Sequence, residues 1–253
     1  MVARPITPLP RGTSLASMLH AVFAFNLTFL INELGLVIPK ALTPGLSPTL
    51  YHNDHAWRGH HPLAELFQGT GAVATLLVAL ACAFALSRRP VSPNRRLFLF
   101  WMAFCGVFMA LPQFVMAALH HGTDVARALD YLALGAAGKT ALALAALALV
   151  PVAALWLVRY LPRPTVWTVT VPGLLALPLI IAYRVPRELI EVVFLPVIAI
   201  VPAVLCMQAG AWRFGGRAAG NHERTPSIAL PAIAAITLLV LFHAVLKPGV
   251  PFY

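Results

Sequence analysis

The side chains able to do chemistry are few, and most of them gather in two short segments. The first reads LYHNDHAWRGHHPLAEL and holds His52, His55, His60 and His61 with Asp54 and Glu65 between them. The second reads LHHGTDVARALD and holds His120, His121, Asp124 and Asp130. Imidazoles and carboxylates brought onto one face are what zinc, copper or iron would require. The spacing is not that of a closed metal site, because Gly59 and Pro62 turn the first segment into a loop or interfacial turn. With Glu33 just beneath, the candidate ligands are His52, His55, His60, His61, Glu65, His120, His121, Asp124 and Glu33, and the cofactor they would take is a transition-metal ion.

The elements that must position these groups are set by composition. The chain has 253 residues, 60% hydrophobic and only 10% charged, against about 25% charged in ordinary soluble domains. A span needs about 20 apolar residues, and such runs lie near 15–37, 64–86, 97–119, 132–158, 166–183, 189–211 and 227–246. The expectation is an all-α polytopic transmembrane bundle of seven spans, six if the short fifth run does not cross, forming one membrane domain over 1–253. A formal charge of +10 raises the question of nucleic acid. The basic residues flank apolar runs instead of lining one face, which fits topology and lipid headgroups and argues against nucleic acid.

Orientation follows from Lys and Arg placement. The connection 87–96 holds Arg88, Arg89, Arg95 and Arg96 and belongs in the cytoplasm, with Arg4, Arg11, Arg159, Arg163, Arg213, Arg217 and Arg224 on the same side. Lys40, Arg58, Arg127, Arg184, Arg187 and Lys247 fall opposite. The amino terminus is therefore expected in the cytoplasm and the carboxyl terminus outside, in a bacterial inner membrane. Trp101, Trp156, Trp167 and Trp212 fall at one set of span ends and Tyr51, Tyr131 and Tyr183 at the other, as interfacial belts would. Cys82, Cys105 and Cys206 lie inside apolar runs and read as small core residues.

Ionisable residues at membrane depth are costly and count as candidates in themselves. Glu33 lies near the outer end of the first span and Lys139 near that of the fourth, so the two are placed to pair. His20 and His243 lie at opposite depths, which rules against one haem held between them. In the fourth span Ala133, Ala137, Ala141 and Ala145 recur every four residues, a smooth face on which a helix can pack closely. Pro172 with Pro178, and Pro196 with Pro202, mark two spans for kinks.

Asn32-Glu33-Leu34-Gly35-Leu36, followed by the small-residue run Gln68-Gly69-Thr70-Gly71, resembles the M50-type, site-2-protease-like membrane fold. That family carries H-E-x-x-H in a membrane helix, two histidines holding zinc and the glutamate activating water. The resemblance places Glu33 at the catalytic glutamate and Asp124 at the third ligand. Asn32 and Leu36 stand where the two histidines would be, so it implies a relative without proteolysis.

No nucleophile elbow, phosphate loop or dinucleotide fingerprint is present. The sequence therefore reads as a non-catalytic integral membrane protein, an accessory or assembly subunit of a larger complex, with membrane lipid and other membrane subunits as partners. The alternatives are a metal-dependent or metal-handling protein with an outward site, and a small transporter lined by Asn26, Glu33, Gln113 or Lys139. The topology has a direct check. With His60→Cys, intact cells should be labelled by an impermeant maleimide, whereas Arg89→Cys should label only after permeabilisation; the reverse pattern inverts the topology.

Overall fold

A computed structural model describes residues 11–52, 54–88, 92–161, 165–184, 201, 204–206, 208–210 and 225–252. It is mostly helical, and among the described residues five segments are long and apolar enough to cross a membrane: Gly12–Ala41, Pro62–Arg88, Pro93–Leu119, Ala136–Tyr160 and Ala229–Leu246. A shorter apolar helical segment, Val166–Leu179, stands where the fifth run was expected. Most of the sixth run, 189–211, together with Pro196, Pro202 and Trp212, lies outside the described residues.

Helix α1, Arg11–Ala41, is the centre of the molecule. At 1.5 Å per residue its 31 residues extend about 46 Å, more than the hydrocarbon thickness. It packs against α2 (Thr70–Arg88), α3 (Pro93–Leu119), α6 (Val171–Arg184) and α7 (Ala229–Val240). Neighbours on several sides bury both apolar and polar positions of α1: Ser17, His20, Asn26, Thr28, Asn32, Glu33 and Lys40 are all buried.

Helix α3 packs in turn on α2 and on α5, Ala136–Leu157. The outward faces of the peripheral helices are apolar at helical spacing. Val73, Leu77, Leu80 and Phe84 are exposed on α2, and Leu230, Ile233, Ile236 and Val240 on α7. Exposed stripes of that length suit a hydrocarbon solvent and would associate in water.

Close packing depends on residues without side chains. A Cβ on Gly71 would stand 2.8 Å from the Asn32 carbonyl oxygen, and one on Gly35 would stand 2.9 Å from the Ala74 Cβ. Gly106 allows the same approach between α3 and α2, where a Cβ would meet the Thr75 carbonyl at 2.6 Å. Deeper in the bundle the Trp101 indole N–H donates to Ser17 Oγ at 2.9 Å, and Ser17 donates to the Thr168 carbonyl at 2.7 Å.

Trp101 is thus a core residue of α3 with its polar edge satisfied internally, and not part of an interfacial belt. Tyr183 departs from the belt in the same way, being buried with its hydroxyl donating to the Ala235 carbonyl at 2.8 Å. Trp156, Trp167 and Tyr131 are exposed, as a belt requires.

The expectation of an all-helical chain needs a correction at one end of the bundle. Leu46–Leu50 forms strand β1 and His55–Gly59 forms β2, paired antiparallel, and Val250–Pro251 forms β3 on the other side of β1. Leu46, Pro48 and Leu50 alternate inward along β1, the period of a strand with one buried face. Gly45 and Gly59, at φ 84° and 93°, close the two ends of the hairpin opposite its turn.

A second addition is α4, Asp124–Tyr131, a short amphipathic helix that buries Val125, Ala126, Ala128 and Leu129. Ala133 follows it with φ 55°, so the turn takes Ala133 off the alanine face. Ala137, Ala141 and Ala145 remain exposed on α5, which begins only at Ala136.

These close approaches give a stability prediction. Gly71→Ala should lower the thermal midpoint of detergent-purified protein, at a cost of about 1–3 kcal/mol for overpacking a tight contact. Gly135→Ala, where a Cβ meets nothing within 4 Å, should leave the midpoint nearly unchanged.

Candidate metal centre

The hairpin folds over the end of α1 where that helix carries Glu33 and Lys40. Seven residues are close to two helical turns, so both side chains leave α1 on one face. Both are buried, Lys40 completely. A charged side chain out of water must find partners, and here they come from other elements.

His55 opens β2 and supplies Glu33 with its partner: Nδ1 lies 2.9 Å from Glu33 Oε2. The other ring nitrogen, Nε2, lies 3.0 Å from Gln68 Oε1. Lys40 Nζ donates to the same Gln68 oxygen at 3.0 Å. Gln68 is buried in the 3₁₀ turn Leu66–Gly69 that leads into α2.

This arrangement fixes the tautomer. An ammonium only donates, so the Gln68 atom facing Lys40 is the oxygen, and the same oxygen requires Nε2 of His55 to carry a hydrogen. Nδ1 faces the Glu33 carboxylate oxygen, and at 2.9 Å the contact requires one proton shared between the two.

Around this core the polar groups continue. The backbone N–H of His55 donates to Asp54 Oδ1 at 2.8 Å. Trp57, two residues along the same strand, stacks on the His55 ring at 5.8 Å and 12°. The Lys40 ammonium lies 4.4 Å and the Arg127 guanidinium 5.1 Å from the centre of the Trp57 ring, both within cation–π range. Arg127 makes a two-pronged pair with Glu65, both bonds 2.7 Å, tying α4 to the turns before α2. On the far side of Glu33, Asn32 donates to Oε1 at 3.4 Å and accepts from Gln113 Nε2 at 3.1 Å.

Asp124, at the first turn of α4, faces the charges of His55, Glu33, Lys40 and Arg127. Burial raises its carboxyl above the usual carboxylate range, outweighing the pull of His55, Lys40 and Arg127.

The predicted ligands are therefore divided. Glu33 and His55 come together, joined by Asp54, and one ligand atom from each of the three lies within 4.8 Å of the others. Asp54 stood in the same segment but outside the candidate set; only the hairpin turn places it against its neighbour.

The remaining candidates go elsewhere. His61 Nδ1 accepts the Leu63 N–H at 3.2 Å and caps a 3₁₀ turn. His60 is exposed, and Glu65 is committed to Arg127. His120 is exposed and accepts the Gly122 N–H at 3.0 Å, while exposed His121 stands 3.9 Å from Asp130. His52 is buried against His243, with ring centres 5.8 Å apart.

The pairing of Glu33 with Lys139 is also corrected. Lys139 hydrogen-bonds Asp130, across the turn between α4 and α5, and that bond holds the Asp130 carboxyl below its ordinary range. Asn26 donates within its own helix to the Val22 carbonyl at 2.8 Å. The polar groups expected to line one cavity thus lie apart, except Glu33 and Gln113, which meet through Asn32.

No family model, curated protein or solved structure matches the chain.

Asp124 gives a pH prediction. Its carboxyl titrates higher in the fold than in the unfolded chain, so the folded state binds the extra proton between those two values. Stability should fall as pH rises through that window, and Asp124→Asn should flatten the fall in thermal midpoint measured from pH 4 to 7. An unchanged slope would show that the carboxyl is not held out of water.

Proposed function

We propose that the chain is a metal-handling integral membrane protein that holds a divalent transition-metal ion between Glu33, Asp54 and His55. The observation that carries this reading is the orientation of His55. Its Nε2–H is directed at an oxygen that Lys40 also pins, so Nδ1 faces the Glu33 carboxylate with Asp54 beside it. Metal-bound imidazoles characteristically donate their second nitrogen to an oxygen in this way.

The distance also suits an ion. Two donors each about 2.1 Å from a tetrahedral ion are about 3.4 Å apart, so Nδ1 and Oε2, 2.9 Å apart, would need to part by only about half an ångström. Charge agrees in sign: Glu33 and Asp54 bring two carboxylates to the site, while Glu65 is already paired with Arg127. A dication supplies the balance, displacing the proton shared by Glu33 and His55. Asp54 is exposed, so the ion enters from the hairpin side.

In this reading the hairpin faces outward, the amino terminus is cytoplasmic, and the membrane is a bacterial inner membrane. This site differs from the M50-type motif, in which the glutamate activates water and does not bind the metal: here Glu33 is itself a ligand, and the imidazole comes from β2 instead of from α1. The protein serves a larger membrane assembly as an accessory subunit. What supports that part is the exposed face of Ala137, Ala141 and Ala145 on α5, on which another helix can lie closely.

Purified protein stripped with chelator should bind one equivalent of zinc by elemental analysis after dialysis. His55→Ala and Glu33→Gln should abolish it, Gln68→Leu should weaken it by about 10–100-fold, and His60→Ala and His121→Ala should leave it intact. Undiminished binding by His55→Ala would sink the proposal.

A further inference from the structure

We infer that His20 and Asn94 hold a buried pair of water molecules between α1 and the start of α3, at the end of the bundle opposite the hairpin. His20 precedes Glu33 by thirteen residues on α1, about 20 Å along the helix. The site is therefore separate from the Glu33–Asp54–His55 group.

His20 is only 3% exposed. Its Nδ1 and Nε2 are both closed off from solvent, and neither has a hydrogen-bond partner. The Asn94 side chain interacts with the ring without completing a hydrogen bond to it, and its Oδ1 is closed off and unpartnered as well. Left dry, each of these three atoms would carry its full desolvation cost. Ser17, one turn earlier on α1, shows the alternative: its hydroxyl is closed into the chain from Trp101 to the Thr168 carbonyl and needs nothing further.

The ligand follows from the donors and from the closure. One imidazole and one amide oxygen, without a carboxylate or thiolate, are too few to hold a transition metal. A larger molecule would have to part α1 from α3 to reach the ring. Water both donates and accepts, so it serves all three atoms whichever nitrogen carries the hydrogen. The two nitrogens leave the ring in different directions, so one molecule reaches only one of them and two are needed.

The start of α3 supplies further partners and the way in. Ser92 caps the helix without a side-chain bond, so the N–H groups of Asn94 and Arg95 have no partner within α3. Asn94 is half-buried, which places the site close to the surface. Phe98, one turn further on, lies 6.4 Å from the His20 ring and 5.8 Å from Phe23, and these apolar rings keep the hydration local. Water bonded to an imidazole exchanges protons with it, so α1 carries a proton-trading histidine at the end opposite His55.

The test is hydroxyl-radical footprinting of the full chain in detergent, with brief X-ray irradiation and oxidation read by mass spectrometry. The radicals form from water, so a buried side chain is oxidised where water touches it. His20 should be oxidised several-fold faster than Phe100 and Phe104, which are as buried and lie in the apolar core. Asn94→Leu should remove that excess, and Asn94→Ser, which keeps an oxygen, should retain much of it.

Asn94→Leu should also lower the thermal midpoint, because a bond to water is lost; were the amide oxygen dry, the same change would raise it. The inference is overturned if His20 is oxidised no faster than the two phenylalanines, if Asn94→Leu leaves the excess unchanged, or if that variant melts higher than the parent.

Discussion

The arrangement at the hairpin end follows from one constraint: α1 carries a lysine and a glutamate on a single buried face. Lys40 is wholly out of solvent and Glu33 nearly so. Removing one partner from a buried ionic pair typically costs about 3–5 kcal/mol, because the other charge is left uncompensated. The Gln68 oxygen, the face of Trp57 and the ring of His55 meet that demand. Each comes from outside α1, so satisfying the two charges also docks the hairpin and the turn before α2 onto the helix.

The same constraint explains why histidine, and not another cation, faces Glu33. A second lysine would fill the place permanently. An imidazole with one nitrogen committed to Gln68 leaves the other able to hold a proton or give it up. Under the proposed function, the pair would exchange a proton for a metal ion without losing the hydrogen bond that orients the ring. Trp57 contributes by closing one side of the ring and by offering its π-system to the Lys40 ammonium and the Arg127 guanidinium.

Below this end the bundle is built for rigidity. Gly35, Gly71 and Gly106 bring α1, α2 and α3 within backbone contact, and the Trp101–Ser17–Thr168 chain links α3, α1 and the π-helical turn Val166–Thr170. Helices α3, α5 and α6 each hold an internal proline, Pro112, Pro151 and Pro178, which membrane helices tolerate more readily than soluble ones. A stiff floor of this kind keeps Glu33 where the hairpin can meet it.

Length and hydropathy were sufficient to locate the long spans, since a run of about 20 apolar residues has few other solutions. The ends of those spans were read less well. Trp101 and Tyr183 look interfacial by position along the chain, yet partners on other helices draw them into the core. The hairpin was hidden because its strands are five residues each and its polar turn resembles any wet loop. Glu33 was legible as a costly buried charge, and the histidine-rich segment as its neighbourhood. Which of the eight other candidate ligands would reach it was not, because a strand places alternate side chains on opposite faces and its register depends on β1, Gly59 and the C-terminal strand. Types and burial cost are properties of the chain itself. The choice of His55 and Asp54, and the meeting of His52 with His243, exist only once distant segments have paired.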